Sequence, residues 1–245
     1  MCLGWRGSRS HAGVHQARKS MRRARACLAL GGPALGAGAH MIDRELANIC
    51  ESLSSLRDAK ARVESLDRLL INNVEMEIQR CLQAAKRIAL NMRANAMRDE
   101  QTNDSNFLTR RERLRVLEAA IPALLWKQVS ISELSQAVHH SMHACDEATE
   151  TALSRGKSKD WHRLRRRRRR LAQQHTALEH CDIVLQSIVI PDHKLGKLLG
   201  EAQDISVLRE FFKGHPGLSI ENTTRLNGYL KKEFKHLSAE AMGNK

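Results

Sequence analysis

Residues 158–171 read SKDWHRLRRRRRRL, and residues 11–28 read HAGVHQARKSMRRARACL. In each stretch a histidine is followed by cations at offsets of 3, 4, 7 and 8, which are neighbouring positions on one face of an α-helix. The first basic row consists of His15, Arg18, Lys19, Arg22 and Arg23, and the second of His162, Arg165, Arg166, Arg169 and Arg170. Like charges this close oppose folding unless an anion lies against them. The two rows therefore predict helices that bind a polyanion.

The composition favours helices. Of the 245 residues, 42% are hydrophobic but only 3% are aromatic, and there are four prolines. Leu, Ala, Met and Ile dominate the apolar positions, and these residues favour packed helices over a sheet. We therefore expect an all-α fold built as helical bundles.

The charge balance points to an anionic partner. The formal net charge is +14 at pH 7, and the isoelectric point is about 10.0. Such a balance suits nucleic acid, inorganic polyphosphate or an anionic membrane. The scarcity of aromatic residues argues against single-stranded nucleic acid, whose bases stack on aromatic rings. Since no apolar run reaches 18 residues, we expect no helix that spans a membrane.

The apolar periodicity divides the chain into helices. Residues 1–12 show no pattern, and the polar stretch from Asp99 to Asn106 is the expected midpoint loop. Expected helices cover about 13–30, 46–69 with a break near Ser54, 71–88, 108–126 with Pro122 as a kink or end, 131–155, 158–190, 195–211 and 220–237. Ser158 or Asp160 is the expected cap of the helix that carries the second basic row.

A second pair of similar segments indicates an internal duplication. Leu53-x-x-Leu56-Arg57-Asp58 and Leu199-x-x-Ala202-Gln203-Asp204 follow His15 and His162 at nearly the same distance. Two pairs of similar segments at matching separations predict two helical halves, about 13–105 and about 106–245. Each aspartate is expected to cap a helix or to pair with an arginine rather than to act in catalysis. The second half has a helix before its basic row, whereas the first half has only residues 1–12 there, which leaves open an upstream start or a degraded copy.

The chain resembles the CHAD family over roughly residues 13–245. In the first half the resemblance rests on VHQARKSMRRARACL and LRDAKARVESLDRLL, and in the second half on WHRLRRRRRRL and LGKLLGEAQDISVLREFF. The resemblance implies two pseudo-symmetric antiparallel helical bundles whose basic helices face a central channel or groove. It also implies binding of inorganic polyphosphate and, for some members, a place on polyphosphate granules. The ligand-facing positions it implies are His15, Arg18, Arg22, Arg23 and Arg25 with His162, Arg165, Arg169 and Arg170, although the second copy has Ala172 where the first has Arg25. Lys19 and Arg166 stand where the family often has apolar residues, and their place in the predicted site comes from the helical spacing of the two rows.

The functional alternatives are a non-specific nucleic-acid binder that uses the same arginines and an enzyme that acts on polyphosphate. We expect no enzyme and no cofactor, because there is no G-x-S-x-G, P-loop or H-E-x-x-H motif and the acidic residues are scattered. His139 and His143 stand at the i, i+4 spacing of a zinc pair. No third ligand completes that set, so no metal site is expected.

The expected location is the cytoplasm. The six cysteines form no C-x-x-C pair, and most occupy apolar positions, as buried thiols do in a reducing compartment. The stretch ACLALGGPALGAGAH after Arg22-Arg23 looks like a secretory or twin-arginine signal. Its glycines and Pro33 interrupt the apolar region, however, and its arginines belong to the first basic row.

Overall fold

The computed structural model describes residues 2–72, 74–185, 193–241 and 243. Over these ranges the backbone forms nine α-helices and no strand, which confirms the all-α expectation. The helices are α1 Ser10–Gly31, α2 Ala37–Ser52, α3 Ser54–Ile71, α4 Met76–Asn103, α5 Leu108–Ala120, α6 Ile131–Arg155, α7 Ser158–Glu179, α8 His193–Phe212 and α9 Ile220–Ala241. Short 3₁₀ turns precede α1, join α1 to α2 and flank α5.

Most of the predicted ends of helices are confirmed. α1 ends at Gly31, immediately before Gly32 and Pro33, and Gly32 adopts a positive φ of 49°. The expected break near Ser54 lies at Leu53, between α2 and α3. α6 has the predicted bounds at both ends, and the left-handed Gly156 terminates it.

The helix with the second basic row ends earlier than predicted. α7 stops at Glu179, and Asp182 takes the left-handed conformation with a φ of 54°. The amide of Ile183 donates to the carbonyl of Leu178 at 3.0 Å, and that of Asp182 donates to Glu179 at 3.1 Å. This pair of bonds is a Schellman motif with aspartate in the usual glycine position. The rest of the predicted helix, residues 186–190, lies outside the described residues.

Two further predictions about helix ends are wrong. α7 begins at Ser158, so the cap position is taken by Lys157, whose side chain makes no capping bond, and Ser158 and Asp160 are the first and third residues of the helix. The expected loop from Asp99 to Asn106 begins later, because α4 continues to Asn103. The side chain of Arg110 binds the carboxylates of Glu100 and Asp104, and this ion pair stabilises the polar last turn of α4.

The helices group into two compact units that do not coincide with the predicted halves. Unit 1 comprises Met1–Ser54 and Glu100–Asp192, and unit 2 comprises Ser55–Asp99 and His193–Lys245. Each unit thus takes helices from both sides of residue 105: α1 and α2 join α5, α6 and α7, while α3 and α4 join α8 and α9. The duplication itself stays a prediction from the sequence.

The core of unit 1 explains why distant segments join. Leu30 of α1 packs in one cluster with residues of α6 and α7. The buried members of this cluster are Leu30, Leu134, Val138, Cys145, Leu171 and Leu178. Burial of each large aliphatic side chain stabilises the fold by about 1.5–3 kcal/mol. The apolar face of α1 is therefore covered by helices that lie more than a hundred residues further along the chain.

In unit 2 the aspartates of the two repeated segments, Asp58 and Asp204, lie close together. Arg57 Nη1 is 3.0 Å from Asp58 Oδ1 and 4.0 Å from Asp204 Oδ1. Arg68 also reaches Asp204, with Nη2 3.6 Å from Oδ2. These ion pairs confirm the expected arginine partners. Asp58 and Asp204 lie inside α3 and α8, so neither is a helix cap.

Candidate anion-binding surface

The first basic row flanks the buried face of α1. Val14, Ala17 and Met21 are buried at helical spacing and anchor that side of the helix in unit 1. The basic side chains of α1 other than Arg18 lie outside this buried face. His15, Lys19 and Arg23 are exposed, and Arg22 and Arg25 are half-buried.

Arg18 has a different environment from the rest of its row. Only 8% of its surface is exposed, and its Nη1 donates to the backbone carbonyl of Cys50. Cys50 lies in the last turn of α2, where carbonyls have no partner within the helix. Arg18 therefore holds the end of α2 against α1, and this role in the fold accounts for its burial.

The second basic row has a similar arrangement on α7. Trp161, Leu164 and Leu171 are buried at helical spacing. Of the row itself, Arg166 and Arg170 are exposed, whereas His162, Arg165 and Arg169 are half-buried. Half-burial suits arginine, because its apolar stem packs on the protein while the charged guanidinium reaches solvent.

The two basic helices, α1 and α7, pack against each other within unit 1. Arg25 of α1 grips Asp43 of α2 with two hydrogen bonds, of 2.9 and 3.1 Å. Arg170 of α7 lies near this pair. Desolvation lowers the pKa of Arg170, Asp43 raises it, and Arg25 and Arg167 lower it further. Arg25 of α1 thus binds the carboxylate of Asp43 directly, and Arg170 of α7 lies close enough to feel the charges of both.

Asp43 was missed by reasoning from the sequence. It is neither a motif residue nor a member of a row, and its partner Arg25 lies on another helix. A signal for it does exist in the sequence: α1 and α2 are joined by a short turn, and Arg25 and Asp43 lie at matching distances from that turn. Antiparallel helices joined in this way bring such residues side by side.

The histidines of α6 have partners other than a metal. His139 Nδ1 donates to the carbonyl of Ser135 at 2.8 Å, and His143 Nδ1 is 3.5 Å from Glu147 Oε1. Among the described residues, no three side chains of His, Cys, Asp or Glu converge as metal ligands.

The cysteines confirm the prediction only in part. Cys50, Cys81 and Cys145 are buried, Cys2 and Cys27 are half-buried, and Cys181 is exposed just beyond α7. Burial raises the pKa of the thiols of Cys81 and Cys145. No helix in the described ranges is both long and apolar enough to cross a membrane.

The comparison with known families covers both basic rows. The family model of the CHAD domain matches residues 3–213, so the match begins inside the segment 1–12, where the sequence shows no pattern. Neither a curated protein nor a solved structure matches the chain. Since the family model matches most of the chain and includes α1 and α7, the chain belongs to the CHAD-domain family.

Proposed function

We propose that the chain binds inorganic polyphosphate on a basic surface formed by α1 and α7. The observation that carries the proposal is the packing of the two arginine-rich helices in one unit, where Arg25 binds Asp43 and Arg170 lies within electrostatic reach of both. The residues of this basic surface are His15, Lys19, Arg22, Arg23, Arg25, His162, Arg165, Arg166, Arg169 and Arg170. Arg18 is left out because it is buried and bound to Cys50.

The chemistry of these side chains suits a phosphate chain. Polyphosphate carries about one negative charge per phosphate and has no bases to be read, so its receptor needs spaced cations and little else. An arginine offers a planar fork of donors that binds two phosphate oxygens at once. Each hydrogen bond to a charged group contributes on the order of 1–3 kcal/mol. His15 and His162 act as additional donors that gain charge beside phosphate.

The decisive test reverses one exposed cation in each row. The double variant Arg23→Glu/Arg166→Glu should weaken binding of long-chain polyphosphate by on the order of 100-fold, since each reversal removes at least about 1.4 kcal/mol. Lys231→Glu/Lys232→Glu, two exposed positions on α9 in unit 2, changes the net charge equally. This control should lose less than about threefold, because neither lysine belongs to the basic surface and exposed charges outside a site are screened by salt. Equal losses in the two double variants would contradict the proposal.

A competition experiment separates polyphosphate from nucleic acid. With polyphosphate as the preferred ligand, long-chain polyphosphate should displace a fluorescent DNA duplex from the protein at moderate salt, at equal concentration of phosphate. The opposite order would favour a non-specific nucleic-acid binder that uses the same arginines.

We also propose that the protein binds without catalysis and resides in the cytoplasm, on polyphosphate granules where these form. Incubation with polyphosphate and magnesium should release no phosphate above the rate of a protein-free control. A fluorescent fusion should co-localise with granules, and the Arg23→Glu/Arg166→Glu fusion should not.

A further inference from the structure

A half-enclosed pocket of about 540 Å³ lies in unit 1 beside the basic surface. It is bounded by the end of α1 and the following turn, by α6 and by α7. Small-molecule sites typically have volumes of roughly 300–1,000 Å³. The pocket is therefore large enough for a ligand several times larger than one phosphate group.

The lining combines cations with groups that a phosphate chain does not need. Arg167 and Arg170 are its cations, while Glu133 of α6 supplies a carboxylate and Gln136 an amide. Leu30 and Ala137 are among its apolar members, as expected from their places in or against the core of unit 1. The carboxylate and the amide can bind donor groups that inorganic polyphosphate lacks, so this mixed lining indicates a different ligand from that of the basic surface.

The carboxylate of Glu133 is held in place as an acceptor. Its Oε2 accepts from the backbone amide of Ser130 at 2.7 Å and from the Ser130 hydroxyl at 2.8 Å. These bonds lower the pKa of Glu133, so the group is ionised at neutral pH. An ionised acceptor at the wall of a pocket favours a ligand that presents N–H donors.

The opposite wall favours a phosphate group. Arg167 and Arg170 are three residues apart on α7 and therefore lie on the same side of the helix. Two neighbouring guanidinium groups bind a dianion with several charge-assisted hydrogen bonds. The pocket thus offers an anion site at α7 and an acceptor site at α6, with apolar surface beside them.

We propose that this pocket binds a nucleoside phosphate. The phosphate contacts Arg167 and Arg170, the N–H edge of the base faces Glu133 and Gln136, and the ring packs on Leu30 and Ala137. This binding goes beyond the polyphosphate proposal. The two sites share Arg170, whereas Glu133, Gln136 and Arg167 belong to the pocket alone, so the pocket can be tested separately.

Calorimetric titration of the full chain with guanosine 5′-monophosphate tests the proposal. We expect saturable binding at one site. The affinity should fall by about tenfold or more, equivalent to about 1.4 kcal/mol, in two variants: Gln136→Trp, which fills the pocket, and Arg167→Gln, which removes a phosphate contact. The matched controls are His139→Trp and Arg163→Gln, which alter exposed neighbours on the same helices outside the pocket. These controls should bind within about twofold of the wild type, as expected for surface changes away from the site.

Three results would overturn the proposal. The first is the absence of saturable binding, and the second is unchanged affinity in both Gln136→Trp and Arg167→Gln. The third is equal affinity for pyrophosphate or ribose 5-phosphate, which would mark a plain anion site. Retention on immobilised polyphosphate, measured on the same variants, should be unchanged in Gln136→Trp. This measurement distinguishes a failure of the polyphosphate proposal from a failure of the pocket proposal.

Discussion

Arg18 and Lys19 are adjacent in the first basic row but lie in opposite environments. Lys19 is exposed, whereas Arg18 is buried and donates to the carbonyl of Cys50 at the end of α2. When a buried carbonyl loses its hydrogen-bond donor, the free-energy cost of removing that carbonyl from water is no longer compensated. Arg18 therefore contributes to the free energy of unfolding, while Lys19 is free to meet a ligand.

Arg18→Ala should lower the free energy of unfolding by about 1–3 kcal/mol, since it removes a buried donor and leaves the Cys50 carbonyl unsatisfied. Lys19→Ala, at the neighbouring exposed position, should stay within about 0.5 kcal/mol of the wild type. Urea denaturation followed by circular dichroism measures both. If the two variants prove equally stable, Arg18 has no structural role and returns to the list of ligand contacts.

At this scale the sequence alone located both basic rows but not the roles of their members. The spacing of His15, Lys19 and Arg22 identifies a helix face, and the structure confirms that this face borders the buried one. Spacing does not reveal that Arg18 turns toward α2, because that depends on how two helices pack. Asp43 was missed for the same reason, since its partner Arg25 is set by the turn between α1 and α2.

Among the helices, α6 has the most clearly defined beginning. Ser130 Oγ accepts from the amide of Glu133 at 3.2 Å, and the Glu133 carboxylate accepts from the amide of Ser130, so the two residues form a capping box. These hydrogen bonds, chiefly that from the backbone, lower the pKa of Glu133 from its ordinary value of 4.5. A carboxyl with a lowered pKa in the folded state stabilises the protein while it is ionised.

The contribution of Glu133 should therefore depend on pH. Above about pH 4.5, Glu133→Gln should be less stable than the wild type, and the difference should shrink as the pH falls through the lowered pKa of the folded state. Urea midpoints at several pH values between 7 and 3 test this. In a Ser130→Ala background the same substitution should have a smaller effect, because one partner of the carboxylate is gone. A difference between Glu133→Gln and wild type that is independent of pH would contradict the assignment.

The ends of helices were predictable where local chemistry marks them. Gly31 and Gly32 mark the end of α1 in the sequence, and Arg155 with Gly156 marks the end of α6. The end of α7 was missed because apolar periodicity continues past Glu179 and because the terminating residue, Asp182, is not a glycine. Aspartate tolerates the left-handed conformation well enough to close a Schellman motif, and periodicity cannot detect this.

For the whole molecule, the division into units was the part least accessible from the sequence. The repeated segments predicted where helices lie but not how they pair, since apolar faces of equal quality pack in several ways. The structure joins Leu30 of α1 to Leu171 and Leu178 of α7. Each predicted half therefore contributes helices to both units, and neither half contains a complete core.

Separate halves should consequently fail to fold. Expressed alone, residues 1–105 and residues 106–245 should each show reduced helical circular dichroism and no cooperative thermal unfolding, because each half leaves the apolar faces of α1 or α7 uncovered. Mixed or co-expressed, the two fragments should recover a cooperative transition. A fragment of residues 1–105 that unfolds as cooperatively as the full chain would be at odds with the observed units.

The proposed binding of polyphosphate should depend on salt through the molecule as a whole, because every phosphate contact would release counterions. By analogy with nucleic acids, the logarithm of affinity should fall linearly with the logarithm of salt concentration. The slope of Arg23→Glu/Arg166→Glu should be shallower than that of the wild type by about 2, one for each phosphate contact removed. Fluorescence titrations at several salt concentrations give both slopes, and parallel lines would mean that these two arginines do not touch the ligand.

The shared core of α1, α6 and α7 also has a consequence for biosynthesis. During translation α1 leaves the ribosome long before Leu171 and Leu178 are made, so its apolar side has no native partner for most of that time. Synthesis at about 5–20 residues per second makes this interval several seconds or more. The core of unit 1 can therefore close only after α7 has also emerged, and until then the apolar side of nascent α1 has to be kept from other partners.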